Sequence, residues 1–431
     1  MLGTARTRLS SASVVAAALV ATALLGPAGA AHAAAPASQA EIQRALAAAR
    51  PGSTVVVAAG TIDAQTLRVP AGVTLAGQDT NGDGRSDTVL RLPRGASGFA
   101  DPDDSRWASS YVVRLDGAGA RLDLVVVDGN KAGQGALRPR SATEALPTSR
   151  VLAPVQVHCD GCSVTRSVVG NAIYDGIEVR DDDVTVSDTT VHTPGGTGIV
   201  LDGVGTTPVV GTRLTRVQVD RTGQWYPTVG ATAPGPGPGV GGDYVVGTVI
   251  DGLKATRTNG DGVALYTNTS SNHVTVSNST FSGNLNHCVH LGGDYSVMLS
   301  NTCASPGNHG FFLRSNQRVA LHPTTGGRIV GNVVTAPRNI GVVVQGAASD
   351  TVVNRNVLTG GTYIALFTDI ASGALSVGGN TFAEGPGKTR CQIATAAVVA
   401  KSVSYSSANP NRFDDANATR MCTDERQAVA G

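Results

Sequence analysis

The chain has 431 residues, of which 15% are charged and 4% aromatic, and its formal net charge at pH 7 is +1. This balance excludes the strongly basic surface that nucleic acids and anionic membranes attract, so we expect neither partner. The length exceeds that of an average domain, but repeat arrays are exempt from that limit.

The N-terminus has the layout of a secretory signal. Arg6 and Arg8 precede an apolar run over 14–25, which is followed by the small-x-small sequence Ala31-His32-Ala33. A membrane span needs about 18 apolar residues or more, and this run is shorter. We predict that residues 1–33 are a cleaved signal peptide and that the remaining chain is secreted.

The segment 38–50 is predicted to be a helix. Ser38 and Glu41 have the spacing of a capping box, and Pro51-Gly52 would end the helix. An amphipathic helix at this point would cover the open end of a sheet whose edge is otherwise unpaired.

The segment "DTNGDGRSD" (79–87) predicts a calcium loop. Oxygen-bearing side chains alternate around a tight turn, as a Ca²⁺ site requires, but position 12 is Leu90 where an EF-hand has a bidentate Glu. The segment is far in sequence from the other polar clusters, so we expect a structural ion and not a catalytic one. The predicted ligands are Asp79, Asn81, Asp83 and Asp87.

The six cysteines of an exported chain are expected to form disulfides. Sequence order favours Cys159–Cys162, Cys288–Cys303 and Cys391–Cys422, although six cysteines allow 15 pairings. The last pair would tie a C-terminal cap or tail (391–431) to the preceding domain (34–390).

Short Val/Ile/Leu strands recur along 154–382 and are separated by Gly, Asn, Asp and Ser, without helical periodicity or hairpin signals. The strands share the pattern x-G-apolar-x-apolar-x in steps of roughly 22 residues, as expected of a stacked repeat. Successive coils would then pair in parallel around an apolar interior. A recurring turn aligns Asp188, Asn278, Asn301, Asn332, Asn356 and Asn380, which we interpret as a stacked structural ladder.

The alignment predicts polar columns on one outward face. Positions one, four and six of the strand pattern point to solvent, and adjacent coils lie about 4.8 Å apart. Asp261, His287 and His309 should therefore be neighbours at position one, with Asp243 beside Asp261. Position one also holds Asp175; position four holds Glu178, Ala264, His290 and Phe312; position six holds His158, Arg180, Asp202, Tyr266, Arg314 and Gln345.

Long insertions flank these columns. One of them carries Trp225 and Tyr226, which would stack on a sugar ring or pack the loop onto the coil. Loops of this length are commonly functional, so we expect them to form the walls of a groove.

The segments "SQAEIQRALAAARPGSTVVVAAGTI", "LRVPAGVTLAGQ" and "LVVVDGNKAG" resemble the capping helix and first coils of the right-handed parallel β-helix (pectin-lyase-like) superfamily. This resemblance implies an all-β solenoid of roughly ten coils with an N-terminal capping helix. Members of the superfamily mostly cleave or isomerise polysaccharides, which implies a polysaccharide substrate. Oligomeric state is left open.

Two activities follow from finer resemblances. "GNHGFFLR" is similar to a strand motif of mannuronan C5-epimerases, although their Asp-Pro-His-Asp motif is absent. This implies a lyase or epimerase on a uronic-acid polymer, with Arg314 or Arg180 as carboxylate neutraliser, His287 or His309 as base oriented by Asp261, and Tyr266 as proton donor.

The alternative is a glycoside hydrolase or transferase. "NGDGVAL" followed by "NHCVHLGG" resembles polygalacturonases, with Asp261 and His287 matching an aspartate and the histidine of that family. Gly260 replaces another of its aspartates, and Asp243 would supply the second carboxylate. In either case Arg180, Glu178, Asp175, His290, His158, Trp225 and Tyr226 are the predicted substrate-binding residues. A third possibility is a noncatalytic carbohydrate-binding protein.

Overall fold

The computed structural model describes residues 34–96, 99–100, 108–109, 111–134, 153–202, 207–223, 237–267, 272–314, 324–346, 348–360, 364–369, 375–383, 391–395, 403–413 and 419–423. The predicted signal peptide, most of the long insertions, Trp225 and Tyr226 lie outside these residues. The side chains of Asp243, Tyr266, Cys391 and Cys422 also lie outside the described part, and only their backbones are considered below.

One helix, α1 (Gln39–Ala48), precedes the strands. Ser38 caps it by accepting the Glu41 N–H, while Glu41 accepts the Ala37 N–H at 2.8 Å. Ile42 and Leu46 face inward and are buried. The predicted capping helix is therefore confirmed, and its apolar side covers the first coil.

Three sheets of 13 strands each make up the described chain. Strands of the first sheet are Thr54–Val56, Thr74–Ala76, Arg121–Asp123, Ser163–Thr165, Thr185–Ser187, Arg213–Thr215, Val249–Asp251, Thr275–Ser277, Val297–Leu299, Arg328–Val330, Thr351–Asn354, Leu375–Gly378 and Val403–Tyr405. Strands of the second sheet are Gly60–Asp63, Thr88–Arg91, Val126–Asp128, Val168–Gly170, Thr190–His192, Gln218–Asp220, Lys254–Thr256, Thr280–Ser282, Thr302–Ala304, Val333–Thr335, Val357–Thr359, Thr381–Ala383 and Arg412–Phe413.

The third sheet carries the predicted polar columns. Its strands are Leu67–Val69, Val113–Leu115, Val155–Val157, Ile177–Val179, Ile199–Asp202, Val240–Asp243, Val263–Thr267, Val289–Gly292, Phe311–Arg314, Ile340–Gln345, Ile364–Asp369, Cys391–Thr395 and Thr419–Thr423. Three two-stranded sheets (Phe99–Ala100 with Ala108–Ser109, Val209–Val210 with Val245–Val246, Thr324–Thr325 with Ala348–Ser349) and a 3₁₀ turn at Lys131–Gly133 complete the described elements.

Within the three large sheets every strand pairs in parallel with the equivalent strand of the next coil, which confirms a parallel β-helix. Thirteen coils exceed the roughly ten predicted, and they continue past residue 390, where the sequence predicted the β-helix to end.

The interior is a continuous apolar core of Val, Leu, Ile and Phe side chains contributed by all three sheets. Parallel strands enclosed in this way need no βαβ crossover helices, because each coil returns the chain to the same sheet.

The asparagine ladder is confirmed from Asn301 onward. Asn332 donates through its backbone and side chain to Asn356, and accepts two hydrogen bonds from Asn301. The ladder continues through Asn380 to Asn411. The prediction is wrong for Asp188 and Asn278. Each lies one residue earlier in its turn than the ladder asparagines do, and each has a left-handed backbone conformation.

Disulfides join Cys159 to Cys162 and Cys288 to Cys303, as predicted. The third pairing stays a prediction. The backbone register places Cys391 opposite Thr419, and Cys422 opposite Ala394.

No helix in the described part of the chain is both long and apolar enough to cross a membrane.

Candidate functional site on the third sheet

Position one of the third sheet brings Asp261, His287 and His309 together as predicted. Side chains of this column accept backbone N–H groups of the next coil: Asp261 Oδ1 accepts the His287 N–H at 2.9 Å, and His287 Nδ1 accepts the His309 N–H at 3.3 Å. Asp175 accepts the Thr197 N–H at 2.7 Å in the same manner. The side chains of this column therefore stabilise the turn that precedes each strand.

Two local features set the position of these side chains. Asn286, Asn308 and Asn339 form a second ladder immediately before His287, His309 and Ile340, with side-chain bonds of 3.1 and 3.2 Å. The following residue is a glycine in most coils, because a Cβ there would lie within 2.6 Å of a carbonyl oxygen in the next coil; this holds at Gly176, Gly198, Gly239, Gly262 and Gly310. Cys288 stands at this position and forms its disulfide with Cys303.

The histidines form an aromatic cluster. His287 and His309 stack with ring centroids 4.9 Å apart, and His290 stacks on Phe312 at 4.3 Å. Phe312 in turn packs with Ile340, Val343 and Phe367 in an apolar cluster separate from the interior core. An apolar cluster therefore lies on the outer face beside the histidines, on their C-terminal side.

The prediction that the three columns face solvent is wrong for Asp261, His287 and His290, which are only 4%, 5% and 3% exposed. It is also wrong for Asp175, Glu178, Phe312 and Gln345, which are buried. They point away from the core, as alternation requires, but neighbouring outer-face side chains such as Phe312 pack against them. His309 and Arg314 are half-buried and keep part of their surface exposed.

Burial controls the ionisation of the cluster. It lowers the pKa of His287 to about 3, against the opposing charge of Asp261, and lowers the pKa of His309 to about 4. Burial also lowers the pKa of His290, helped by the Arg314 cation, and raises the pKa of Asp261. His290 Nδ1 lies 3.7 Å from Asp261 Oδ2, so this contact joins two groups that burial drives toward neutrality.

A second polar cluster lies three coils toward the N-terminus. Glu178, which is 1% exposed, accepts a hydrogen bond from Arg180 Nε at 2.5 Å, and its other oxygen lies 3.5 Å from His158 Nε2. Burial raises the pKa of the neighbouring Asp175 to about 7. Four residues predicted to bind substrate are thus brought together, at about 14 Å (3 × 4.8) from Asp261.

Between the two clusters, position four holds small side chains. The register places Glu178, Val200, Gly241, Ala264 and His290 in successive coils. The middle three residues make a shallower floor than the large side chains on either side.

Asp243 does not lie beside Asp261. The strand is Val240–Asp243, and its register places Asp243 opposite Asp202 on one side and Thr267 on the other, across a bulge. The residue of this coil that is equivalent to Asp261 is Pro238, since Val240 pairs with Val263. The prediction that Asp243 lies at position one is wrong because Gly241 and Gly242, which have low strand propensity, belong to this strand.

The predicted calcium loop is engaged with its own backbone. Asp79 accepts hydrogen bonds from the N–H groups of Gly82, Asp83 and Gly84, and Asp87 accepts one from Thr80 at 2.7 Å. Among the described residues no three His, Cys, Asp or Glu side chains are grouped to hold a metal ion. The calcium site stays a prediction.

Residues 241–418 match the protein family described as "Right handed beta helix region". The chain has the right-handed parallel β-helix fold. The β-helix matches no curated protein sequence.

Solved structures that resemble the β-helix include three polysaccharide-active enzymes. The catalytic domain of a GH87 α-1,3-glucanase aligns with TM-score 0.53 and 9% identity, over 88% of this chain and 68% of that one. An exopolygalacturonase from Thermotoga maritima aligns with TM-score 0.50 and 9% identity, over 82% and 87%. The A-module of a mannuronan C-5 epimerase from Azotobacter vinelandii gives 0.48 and 15%, over 90% and 97%. Identities this low show the fold alone.

Sequence reasoning missed two features of this face. The first is the pairing of Asp202 with Asp243 on adjacent strands, which could be found only by knowing the register of the glycine-rich strand Val240–Asp243. The Arg68, Tyr111, Arg114 and Asp116 network extends the face toward α1, and its signal was the pair of arginines at position four of the first two coils.

Proposed function

We propose that the protein acts outside the cell on a uronic-acid-containing polysaccharide by abstracting a proton, as a lyase or C5-epimerase. The observation that carries this proposal is His309: a partly exposed imidazole that stacks on His287, in a cluster that also contains the buried Asp261 carboxyl group and the Arg314 cation. The two disulfides support an oxidising, extracellular location.

His309 is suited to act as the base. Its pKa of about 4 keeps the imidazole neutral near pH 7, so a nitrogen lone pair is available. Its Nδ1 is buried and makes no hydrogen bond to a described residue, so Nε2 is the nitrogen that a substrate would meet. The low pKa makes it a weak base in the absence of substrate, and a bound carboxylate beside it would raise that value.

His287 has a different role. Its Nδ1 accepts the His309 N–H, so the neutral ring carries its proton on Nε2 and the stacked pair fixes the His309 plane. Asp261 fixes the backbone of His287 in turn. These two residues position the base.

Arg314 supplies positive charge on the same strand that begins beside His309. Its field lowers the pKa values of His287 and His290, which places the guanidinium within electrostatic reach of the cluster. Pairing a uronate carboxylate with this cation lowers the cost of removing the C5 proton.

The chemistry balances in both versions. In elimination, His309 takes the C5 proton, the C4–O bond breaks, the leaving oxygen gains a proton and a C4=C5 double bond forms. In epimerisation, C5 is reprotonated from the opposite face and no bond is lost. Tyr266 stays the proposed donor.

A polysaccharide panel tests the proposal. New absorbance from a C4=C5 bond identifies a lyase, and a changed C5 configuration in the product spectrum identifies an epimerase. If every uronic-acid polymer is returned unchanged, the proposal fails; retained binding would then indicate a noncatalytic module.

A glycoside hydrolase is the second candidate, favoured by one observation. The backbone register places Asp202 opposite Asp243 on adjacent strands, and glycosidases use a pair of carboxylates. The similar α-1,3-glucanase and exopolygalacturonase structures are hydrolases by name. New reducing ends without a double bond, lost in Asp202→Asn, would decide for this candidate.

A further inference from the structure

His287 presents one ring nitrogen to the surface. Its Nδ1 accepts the backbone N–H of His309 at 3.3 Å. Its Nε2 makes no hydrogen bond to a described residue and, unlike both ring nitrogens of His290, is not fully buried. Although the residue as a whole is only 5% exposed, Nε2 is therefore an atom that a substrate can meet.

The hydrogen bond at Nδ1 decides which nitrogen of His287 carries the proton. A ring nitrogen that accepts a hydrogen bond has its lone pair there, so the neutral ring carries its proton on Nε2. Burial lowers the pKa of His287 to about 3, so the ring is neutral at pH 7. At that pH His287 offers the surface a hydrogen-bond donor and no lone pair, which rules it out as the base.

His309 differs from His287 in this respect. Its Nδ1 is buried and accepts no hydrogen bond from a described residue, so no contact of this kind fixes a proton on its Nε2. The two rings are nearly parallel, with an angle of 5° between their planes and 4.9 Å between their centroids. A donor ring and a base ring therefore stand on equivalent turns, one coil spacing apart.

A donor beside the base suits the chemistry of a uronate. Removal of the C5 proton moves negative charge onto the carboxylate group that C5 carries, so these oxygens bear more charge in the transition state than in the ground state. A fixed donor aimed at them lowers the barrier, because its hydrogen bond strengthens as the charge develops. With the C5 hydrogen at His309 Nε2, the adjoining carboxylate lies within reach of a donor one coil away.

We propose that His287 is a catalytic residue, which donates a hydrogen bond from Nε2 to a carboxylate oxygen of the uronate whose C5 proton His309 removes. The inference rests on the proposed function for its reaction, and it gives His287 a direct role besides holding His309. His287 keeps its proton throughout. The electron pair of the C5–H bond moves toward the carboxylate, and the resulting charge is on the oxygen that the Nε2–H group contacts.

Two substitutions separate this role from a purely positional one. His287→Asn keeps an acceptor near the place of Nδ1 and has no group at the place of Nε2, whereas His287→Gln extends an amide donor toward the place of Nε2. His287→Asn should lower kcat about 10²-fold and change KM less than about two-fold, because a donor that acts in the transition state is lost. His287→Gln should keep most of the wild-type kcat.

The two variants control for each other, since both lose the ring stack with His309 and should melt at similar temperatures. If His287 only positions the base, His287→Asn should be the more active variant, because it retains the acceptor of the His309 N–H. A kcat of His287→Asn that equals or exceeds that of His287→Gln would overturn the proposal.

NMR spectra of wild type with ¹⁵N-labelled histidine test the contact without turnover. The His287 signals, assigned by their absence from His287→Asn, should show the Nε2-protonated neutral ring at pH 7. Added oligogalacturonate or oligoalginate should move the Nε2–H signal downfield, and neutral cello-oligosaccharide should not. A proton on Nδ1, or a signal that no acidic oligomer moves, would overturn the inference. A shift without turnover of any polymer would uphold the hydrogen bond to the carboxylate and count against the proposed reaction.

Discussion

The backbone N–H of His309 donates a hydrogen bond to Nδ1 of His287, 3.3 Å away, and the two rings stack at 4.9 Å. One imidazole therefore holds the next in place across the coil interface. Because both rings follow an asparagine of the same ladder, the pair is as rigid as the turn that carries it.

The pH dependence of stability should separate the buried groups. His287 has a folded pKa of about 3, below its ordinary value, so the folded state binds fewer protons than the unfolded state between about pH 3 and 6.5. The neutral His287 therefore contributes its full share to the free energy of unfolding above pH 6.5, and this share is lost as the pH falls from 6.5 to 3. His287→Gln should therefore flatten the fall in melting temperature on acidification.

Asp175 should act in the opposite direction. Its folded pKa of about 7 is raised, so its stabilising contribution is complete below about pH 4 and is lost as the pH rises toward 7. Asp175→Asn should therefore gain relative stability as pH increases from 4 to 7. Melting curves that keep the wild-type slope in both variants would contradict these assignments.

The Cys288–Cys303 disulfide closes a 15-residue loop and links the strand of His290 to the second sheet. Replacing both cysteines with alanine should lower the free energy of unfolding by about 3 kcal/mol, as the entropy of a loop of this length suggests. Denaturant unfolding gives the value. The Cys159–Cys162 bridge closes a much shorter loop, so a larger loss from its removal would argue against this explanation.

The ladder makes a further prediction about stability. Asn332→Ala would remove the acceptor of the Asn301 backbone N–H and the side-chain donor to the Met298 carbonyl in a buried site, which should cost about 3 kcal/mol. Asn278→Gly is the control, because Asn278 is exposed and has φ of 49°, a conformation that glycine adopts freely. Similar losses in both variants would show that the ladder adds little.

How far the sequence predicted the structure depended on strand composition. Strands of branched apolar residues, such as those at Val263 and Val289, specified both the coil and the Asp261–His287–His309 column. The strand at Val240–Asp243 is half glycine, so its register was misassigned and Asp243 was placed beside the wrong carboxylate.

Burial of the outer face was not predictable from alternation. The alternation of side chains along a strand predicts which of them point away from the core, and His290 and Glu178 do point away from it. Whether these side chains are exposed to water depends on what packs above the sheet, and the apolar Phe312 cluster has no local sequence signal.

The calcium prediction is tested by melting with and without the ion. Ca²⁺ should raise the melting temperature of wild type and leave that of Asp83→Ala unchanged, because Asp83 supplies one of the predicted oxygen ligands. In chelator the two proteins should differ only by the local Asp83 to Arg85 N–H bond. An equal effect of Asp83→Ala with calcium and with chelator would remove the ion from the account.

The most direct test is turnover of the active uronic-acid polymer by His309→Ala. The variant should fold like wild type, since His309 fills no part of the interior core, while the rate should fall about 10²-fold or more for a lost base. His273→Ala is the matched control: His273 is exposed, stacks on Tyr295 at 4.9 Å and lies outside the cluster, so its rate should be unchanged. Wild-type turnover by a folded His309→Ala protein would contradict the account.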